Sequence, residues 1–180
     1  MPLLDRTGAI ADPWVRLDET APLAGRQVIL PLTRLEQDGA AVLTSGAKLG
    51  VAVGGDTGFE LLRPWLNRLS LIAINFPNFT DGRGFSLARQ LRVRGFKGEL
   101  RAHGYLIADQ LGFALATGFD TVEIDDDLAA RQPVAEWLAA AKTISLSYQR
   151  DYTGPRNILE ARRAARAQQN IRVAQTEPAK

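Results

Sequence analysis

The residues in this sequence that are best suited to chemistry lie in an arginine-rich loop and in the helix that follows it. The stretch FTDGRGFSLARQLR (79–92) places an Asp-Gly-Arg triplet directly before a predicted helix. We expect Asp81 at the helix start and the Arg83 guanidinium beside the helix N-terminus, where the helix dipole favours an anion. In the structural alternative, Asp81 only caps the helix, and Arg83 or Arg89 pairs with Asp109. The predicted anion-binding residues are Asn78, Arg83, Ser86, Arg89 and Arg101.

The single histidine of the chain lies near the end of a predicted strand, ELRAHG (99–104). Arg101 and His103 are two residues apart, so both point to the same side of that strand. An imidazole titrates near neutral pH, and His103 and Asp81 are therefore the candidate catalytic residues, with a structural hydrogen-bonding role as the alternative for the histidine. A buried Arg101 needs a carboxylate partner. The candidates are Asp81, Glu99 and Asp109, and the last of these is expected, with Gln110, to support the site.

A second candidate segment is GVAVGGDTGFEL, which places two glycines and a helix start after an apolar strand. This arrangement presents backbone N–H groups to an anion, so Gly54, Gly55 and Thr57 are candidate cofactor-binding residues. The segment matches neither the dinucleotide fingerprint nor the phosphate-binding loop that ends in Gly-Lys-Ser/Thr. A plain turn between a strand and a helix is the alternative.

Composition excludes several classes of chemistry. The chain has no cysteine and one histidine, so it has no thiol nucleophile, no cysteine-ligated iron-sulfur cluster and no multi-histidine metal site. The consecutive carboxylates Asp125 to Asp127 point in different directions and do not suit a metal site, so Asp126 or Asp127 is predicted to cap a helix that starts at Leu128. No metal site is predicted, and an exogenous flavin or nicotinamide remains an open alternative.

Apolar segments alternate regularly between strand and helix patterns from Gln27 onward. Strand starts lie roughly 22 to 28 residues apart, which leaves room for one crossover helix each. The pattern predicts six strands and five helices in an α/β fold with a parallel sheet, covered on both faces or closed as part of a barrel. An open sheet is favoured, and a barrel-like arrangement is the alternative. The six predicted strands are 28–32, 49–55, 69–77, 99–104, 119–125 and 143–149.

Charge and turn patterns predict one α/β domain over 1–149, with an N-terminal hairpin or arm at 1–25 and a basic, partly helical tail at 150–180. The tail carries seven basic residues and three acidic ones, which predicts association with a second copy or with an acidic partner surface. Neither a secretory signal nor an apolar run of membrane-spanning length is present. We expect a cytoplasmic protein that binds neither membranes nor nucleic acid.

Residues 76–124 carry a family resemblance. The motifs are F-P-x-F-x-D-G-R-G-F-S-x-A-R-x-L-R at 76–92, G-E-L-R-A at 98–102, D-Q-L at 109–111 and G-F-D at 118–120. On these motifs the chain resembles a bacterial family of uncharacterised proteins labelled probable oxidoreductases of sulfite reduction. The genes of that family commonly adjoin those of assimilatory sulfite reductase. The resemblance implies a pathway and brings no established catalytic residues with it.

Two functions follow as expectations. The first is an accessory protein of assimilatory sulfite reduction that binds an anion, a cofactor or the reductase and has no redox chemistry of its own. The second is an enzyme acting on a small anionic sulfur substrate with an exogenous flavin or nicotinamide, in which His103, Asp81 and Arg83 do the chemistry. The absence of cysteine favours the first.

Overall fold

A computed structural model of the chain describes residues 1–23 and 25–143, which form alternating strands and helices. The strands are β1 Leu3–Leu4, β2 Ala9–Ile10, β3 Val15–Arg16, β4 Gln27–Pro31, β5 Lys48–Gly54, β6 Leu69–Phe76, β7 Glu99–Gly104 and β8 Thr121–Ile124. The α-helices are α1 Leu32–Thr44, α2 Phe59–Leu62, α3 Arg83–Val93, α4 Leu111–Thr117, α5 Asp126–Arg131 and α6 Val134–Thr143. Two 3₁₀ turns adjoin these helices, Arg63–Trp65 after α2 and Ala108–Gln110 before α4.

The described strands form one curled, open sheet in the order β2-β1-β8-β7-β6-β5-β4-β3. Neighbours from β3 to β8 are parallel, and for β4 to β8 this was predicted from the strand and helix alternation. β1 runs antiparallel both to β2 and to β8. The prediction of a purely parallel sheet is therefore wrong, because the N-terminal hairpin adds itself to the β8 edge and makes the sheet mixed.

The described helices pack on one face of the sheet. Side chains of one parity along the central strands, such as Leu30, Val51 and Ile74, share a continuous core with helix residues such as Leu91 and Trp137. The opposite parity gives a much smaller cluster on the other face, which we call the helix-free face. The expectation that helices cover both faces is therefore wrong for the described residues. The helix-free cluster consists of Ile29, Leu71 and Ala73 with Ala52 and Trp14 against it.

The N-terminal arm, residues 11–17, crosses the helix-free face. It leaves β2 at one edge of the sheet and pairs as β3 at the other edge. Seven strand spacings would separate these edges by about 34 Å in a flat sheet, whereas the chain from Ile10 to Val15 reaches at most about 18 Å. The sheet must curl for this short link to close, which accounts for its half-barrel form.

Two predicted segments fall outside the described residues, the sixth strand at 143–149 beyond its first residue and the basic tail at 150–180. They stay predictions here. In the part of the chain that the structure describes, no helix is long and apolar enough to cross a membrane.

Candidate functional site

A cavity of about 400 Å³ lies on the helix side of the sheet, between the loop after β5 and the first turns of α3. Two segments that the sequence singled out separately meet here, so four of the predicted site residues share one cavity. Its polar lining offers one guanidinium, two hydroxyls and one amide, and two apolar side chains line the remainder. The lining residues are Gly55, Thr57, Gly58, Phe59, Arg83, Ser86, Leu87 and Gln90.

Glycines let the two walls of the cavity approach each other. A Cβ at Gly55 would lie 2.7 Å from the Gly84 backbone nitrogen, and a Cβ at Gly84 would lie 2.5 Å from the Phe76 ring. Real Cβ atoms do not approach other atoms so closely, so the loop after β5 reaches the N-terminus of α3 because residue 55 is glycine, and α3 packs on the Phe76 ring because residue 84 is glycine. The predicted glycine turn is therefore also a packing contact with the arginine-rich segment.

The charge at the cavity mouth belongs to a local ion-pair group. Arg83 is 62% exposed and donates from Nη2 to Asp81 Oδ2 at 2.7 Å and from Nε to Asp81 Oδ1 at 3.0 Å. Asp56 lies 3.7 Å from Arg83 on the other side. Gly82 is the N-cap of α3, so the expected capping position of Asp81 is off by one residue, but its carboxylate accepts a hydrogen bond from the Arg83 backbone N–H in the first turn. These bonds orient the guanidinium, and they also compete with any bound anion.

The same contacts predict an unusually acidic carboxyl group. The hydrogen bonds from the Arg83 side chain and backbone lower the pKa of Asp81 from its ordinary value of 3.8 to about 2. Because folding lowers the pKa of Asp81, its ionised carboxylate stabilises the folded protein above about pH 4. This stabilisation is lost as the pH falls through 2. We expect carboxyl ¹³C NMR to show Asp81 titrating near pH 2 in the wild-type protein.

Removing the guanidinium in Arg83→Met should return the Asp81 pKa toward its ordinary range. Arg63→Met is the control, because Arg63 is similarly exposed but pairs with Glu60. An Asp81 titration that does not move in Arg83→Met would show that the ion pair is absent in solution.

The other predicted anion-binding residues lie elsewhere. Asn78 is exposed and accepts from the Thr80 backbone and hydroxyl, which closes a turn. Arg89 is exposed on α3 but does not line the cavity. Arg101 points to the helix-free face, so the structure does not bring it to Arg83.

The predicted supporting residues also separate. Gln110 holds the loop before α3 through its amide, which donates to Phe79 O at 2.8 Å, while its Oε1 accepts from the Ile107 N–H. Asp109 is exposed in the 3₁₀ turn before α4. Gly54 ends β5, and its carbonyl accepts from the Thr57 N–H at 3.1 Å, which closes the turn into α2.

A second group of polar residues lies on the helix-free face, and Arg101 is at its centre. Its guanidinium is 1% exposed and binds Asp12 of the arm at 2.6 and 2.9 Å. It also contacts Glu99 at 3.2 Å and Glu123 at 3.4 Å. Arg16 of the arm donates to the same Glu123 carboxylate at 2.8 Å. Two guanidiniums thus face three carboxylates, so the group has a formal charge of −1 and both guanidiniums are already paired.

His103 lies beside this network and does not share a cavity with Arg83. In register it stands between Asn75 of β6 and Glu123 of β8 on the helix-free face. Its Nε2 atom is buried and has no hydrogen-bond partner in the described part of the protein. A buried polar atom without a partner costs about 1–3 kcal/mol, so this atom is a candidate for binding a ligand group.

Burial keeps the imidazole neutral. It lowers the pKa of His103 from 6.5 to about 4, and the nearby Arg16 guanidinium acts in the same direction. As the pH falls from 6.5 to 4, only the unfolded state gains the proton, so the folded state loses stability across this window. At about 1.4 kcal/mol per pKa unit, the expected loss is about 3 kcal/mol.

Urea unfolding at pH 7 and pH 4 tests this prediction. The wild-type protein should lose more stability between the two values than His103→Gln, whose side chain does not titrate. Because the chain has no other histidine, ring ¹⁵N shifts report this titration directly. An imidazole that titrates near 6.5 in the folded protein would contradict the burial described above.

The sequence interpretation missed three members of this network, namely Asp12, Arg16 and Glu123. One signal was present, because Glu99, Arg101 and His103 alternate along a strand that otherwise reads as apolar. Such alternation indicates a strand with one polar face. Asp12 and Arg16 gave no local signal, because their partners lie far along the sequence.

No cluster of three or more potential metal ligands occurs in the described residues. The residues that would hold a cofactor are those of the cavity, where Gly55, Thr57 and Gly58 form one wall. The structure therefore brings four of the anion and cofactor candidates together on the helix side, namely Gly55, Thr57, Arg83 and Ser86, and places His103 apart from them.

The sequence comparisons place the chain in a family without assigning an activity. No curated protein matches the sequence. The family described as a bacterial protein of unknown function, DUF934, matches residues 50–159. This stretch runs from β5 beyond α6, so it includes every residue that lines the cavity and also His103. Since the match covers more than half of the sequence, the chain belongs to the bacterial DUF934 family.

Proposed function

We propose that the chain is an accessory protein of assimilatory sulfite reduction, which binds a small anion in the cavity beside Arg83 and has no redox chemistry of its own. The observation that carries the proposal is the charge of the cavity lining. Arg83 is its one charged residue, and no acidic side chain lines it. A guanidinium with hydroxyl and amide donors is a favourable set of partners for an oxyanion.

The Asp81 and Asp56 carboxylates set a limit on the affinity. They occupy part of the Arg83 guanidinium, so an incoming anion must share it with them. The exposed position of Arg83 lets the side chain turn toward a ligand at little cost. We therefore propose reversible, weak binding, which suits a protein that delivers an anion to a partner or senses it.

The assignment to sulfite reduction rests on the motifs in 76–124, which resemble proteins encoded beside assimilatory sulfite reductase. The absence of cysteine supports a role without redox chemistry, since a thiol route is closed. The proposed partners are a small anion and sulfite reductase itself, and a second copy of the chain is a further candidate.

Isothermal titration calorimetry with sulfite, sulfate and phosphate tests the binding site. Sulfite should bind the full-length protein, and Arg83→Ala should weaken it by about tenfold or more, because a charged hydrogen bond is lost. Arg63→Ala is the matched control, since it removes an exposed arginine outside the cavity. Equal affinities for sulfite in the wild-type protein and in Arg83→Ala would show that the cavity is not the binding site.

A second candidate function is supported by the size of the cavity. About 400 Å³ is more space than a bare sulfite ion fills and lies within the range of organic ligand sites. In this alternative an exogenous flavin or nicotinamide binds against Gly55, Thr57 and Gly58, and the chain is an oxidoreductase. Sulfite-dependent oxidation of reduced nicotinamide by the purified chain, with or without flavin, would favour this alternative. Turnover that needs added sulfite reductase would favour the accessory role.

A further inference from the structure

The N-terminal arm places two opposite charges on the helix-free face. The Asp12 carboxylate binds the two terminal nitrogens of Arg101 at 2.6 and 2.9 Å. Four residues later, the Arg16 guanidinium binds Glu123 at 2.8 Å. The arm thus presents a carboxylate to a buried cation and a cation to a buried carboxylate.

The two receiving groups are neighbours. Arg101 Nη1 lies 3.4 Å from Glu123 Oε2. The place that the Asp12 carboxylate fills and the place that the Arg16 guanidinium fills are therefore adjacent. One compact molecule that carries a carboxylate and an ammonium group a few atoms apart would satisfy both groups at once. An α-amino acid has this charge arrangement.

The unpartnered nitrogen of His103 lies in the same place. His103 is next to Glu123 in register, and its buried Nε2 atom has no hydrogen-bond partner in the described residues. A neutral imidazole nitrogen accepts a hydrogen bond, and an ammonium group has three N–H donors. A ligand ammonium on Glu123 would have a second N–H available for His103 on the neighbouring strand.

In both ion pairs the arm residue is more exposed than its partner on the sheet. The side chains of Asp12 and Arg16 are 33% and 37% exposed, whereas those of Arg101 and Glu123 are 1% and 10% exposed. β3 is a two-residue strand at the sheet edge, so few ladder hydrogen bonds hold this end of the arm. Residues 12–16 can therefore leave while the two buried groups and Leu17, which is part of the core, stay in place.

Displacement of the arm would also open space beside Arg101. Trp14 packs against the helix-free cluster, and its ring lies 3.2 Å from the position of a Cβ on Gly50. The strand residue next to Arg101 is Ala73, a small side chain. The residues under the indole are apolar, which suits the side chain of an apolar amino acid.

We propose that the helix-free face is a binding site for a free α-amino acid, which the N-terminal arm closes by mimicry. The ligand carboxylate takes the place of Asp12 on Arg101. The ligand ammonium takes the place of Arg16 on Glu123 and donates to His103 Nε2. This site is separate from the cavity beside Arg83, so either proposal can be disproved without affecting the other.

Glycine is the probe, because it carries both charges and little else. Acetate and methylamine each carry one of the two charges and serve as ligand controls. Glycine should bind the full-length protein in calorimetry, while acetate and methylamine should give no heat at the same concentrations. Asp12→Asn removes the competing carboxylate and should tighten glycine binding by about tenfold, as expected when a competing closed state is weakened.

Glu123→Gln should abolish glycine binding, and circular dichroism shows whether that variant folds. Glu60→Gln is the matched control, since it removes an exposed carboxylate on the helix side. His103 gives a second readout that does not depend on heat, because its ring ¹⁵N signals belong to the only histidine. Saturating glycine should shift the Nε2 signal as it accepts a hydrogen bond.

Two results would overturn the proposal. One is Asp12→Asn protein that folds normally but shows neither heat nor a His103 shift with glycine. The other is acetate binding as tightly as glycine, which would reveal a simple carboxylate site on Arg101.

Discussion

Replacing Arg101 with methionine is expected to lower the free energy of unfolding by about 3–5 kcal/mol, the usual cost of removing one partner from a buried ion pair. Arg101 is 1% exposed and is shared by Asp12, Glu99 and Glu123. Methionine fills a similar volume, so the main loss is electrostatic. Three carboxylates would then face one another with only Arg16 to compensate them.

Urea unfolding of Arg101→Met beside Arg83→Met measures this effect. Both arginines bind carboxylates, but Arg83 is 62% exposed. Ion pairs at the surface contribute less than buried ones, so Arg83→Met should lower the unfolding midpoint much less than Arg101→Met does. Similar midpoints for the two variants would mean that the network on the helix-free face does not hold the arm and the sheet together.

Replacing Gly104 with alanine is expected to cost about 3 kcal/mol or more. Gly104 has a φ of +95°, and a Cβ there would lie 2.5 Å from the Phe76 carbonyl oxygen. The left-handed backbone alone costs about 1–2 kcal/mol for an L residue, and the clash with backbone adds to it. The residue follows His103 directly, so relief of the clash would also displace the imidazole.

Gly95→Ala separates the two contributions. Gly95 has nearly the same φ, +93°, but no atom lies within 4 Å of its Cβ position. The Gly95→Ala variant should therefore lose only the backbone contribution to the free energy of unfolding, about 1–2 kcal/mol. Equal losses in Gly95→Ala and Gly104→Ala, measured by thermal or urea unfolding, would contradict the close approach of β7 to β6.

The local elements of the fold were predictable because their signals are local. The apolar runs predicted β4 to β8 to within about two residues, and Gly95 ends α3 as expected. Prolines explain two differences. The predicted helix after Asp56 shortens to one turn and a 3₁₀ turn at Pro64, and the predicted helix from Asp127 divides into α5 and α6 at Pro133.

The arrangement of the elements was less predictable. β1 and β3 have two residues each, too few for a periodic pattern, so neither the antiparallel edge nor the crossing arm could be found. The candidate site shows the same difference between local signals, which were readable, and long-range contacts, which were not. Gly55, Thr57, Arg83 and Ser86 were singled out because they lie at strand ends and helix starts, and the structure places them around one cavity.

Of the carboxylates predicted as partners of Arg101, Glu99 contacts it at 3.2 Å, but its grouping with Arg83 and Arg89 was wrong for a related reason. Strand parity placed it correctly beside His103, but nothing local indicates which face of a half-barrel the helices leave open. Its strongest partner, Asp12, is 89 residues away in the sequence. Long-range ion pairs of this kind depend on the curl of the whole sheet.

Growth of a strain lacking this protein is the most direct test of the central claim, that the chain assists sulfite reduction. Such a strain should grow poorly with sulfate or sulfite as the sole sulfur source, grow normally with sulfide or cysteine, and recover with the wild-type gene but not with Arg83→Ala. Equal growth of the deletion and parent strains on sulfite would contradict the claim.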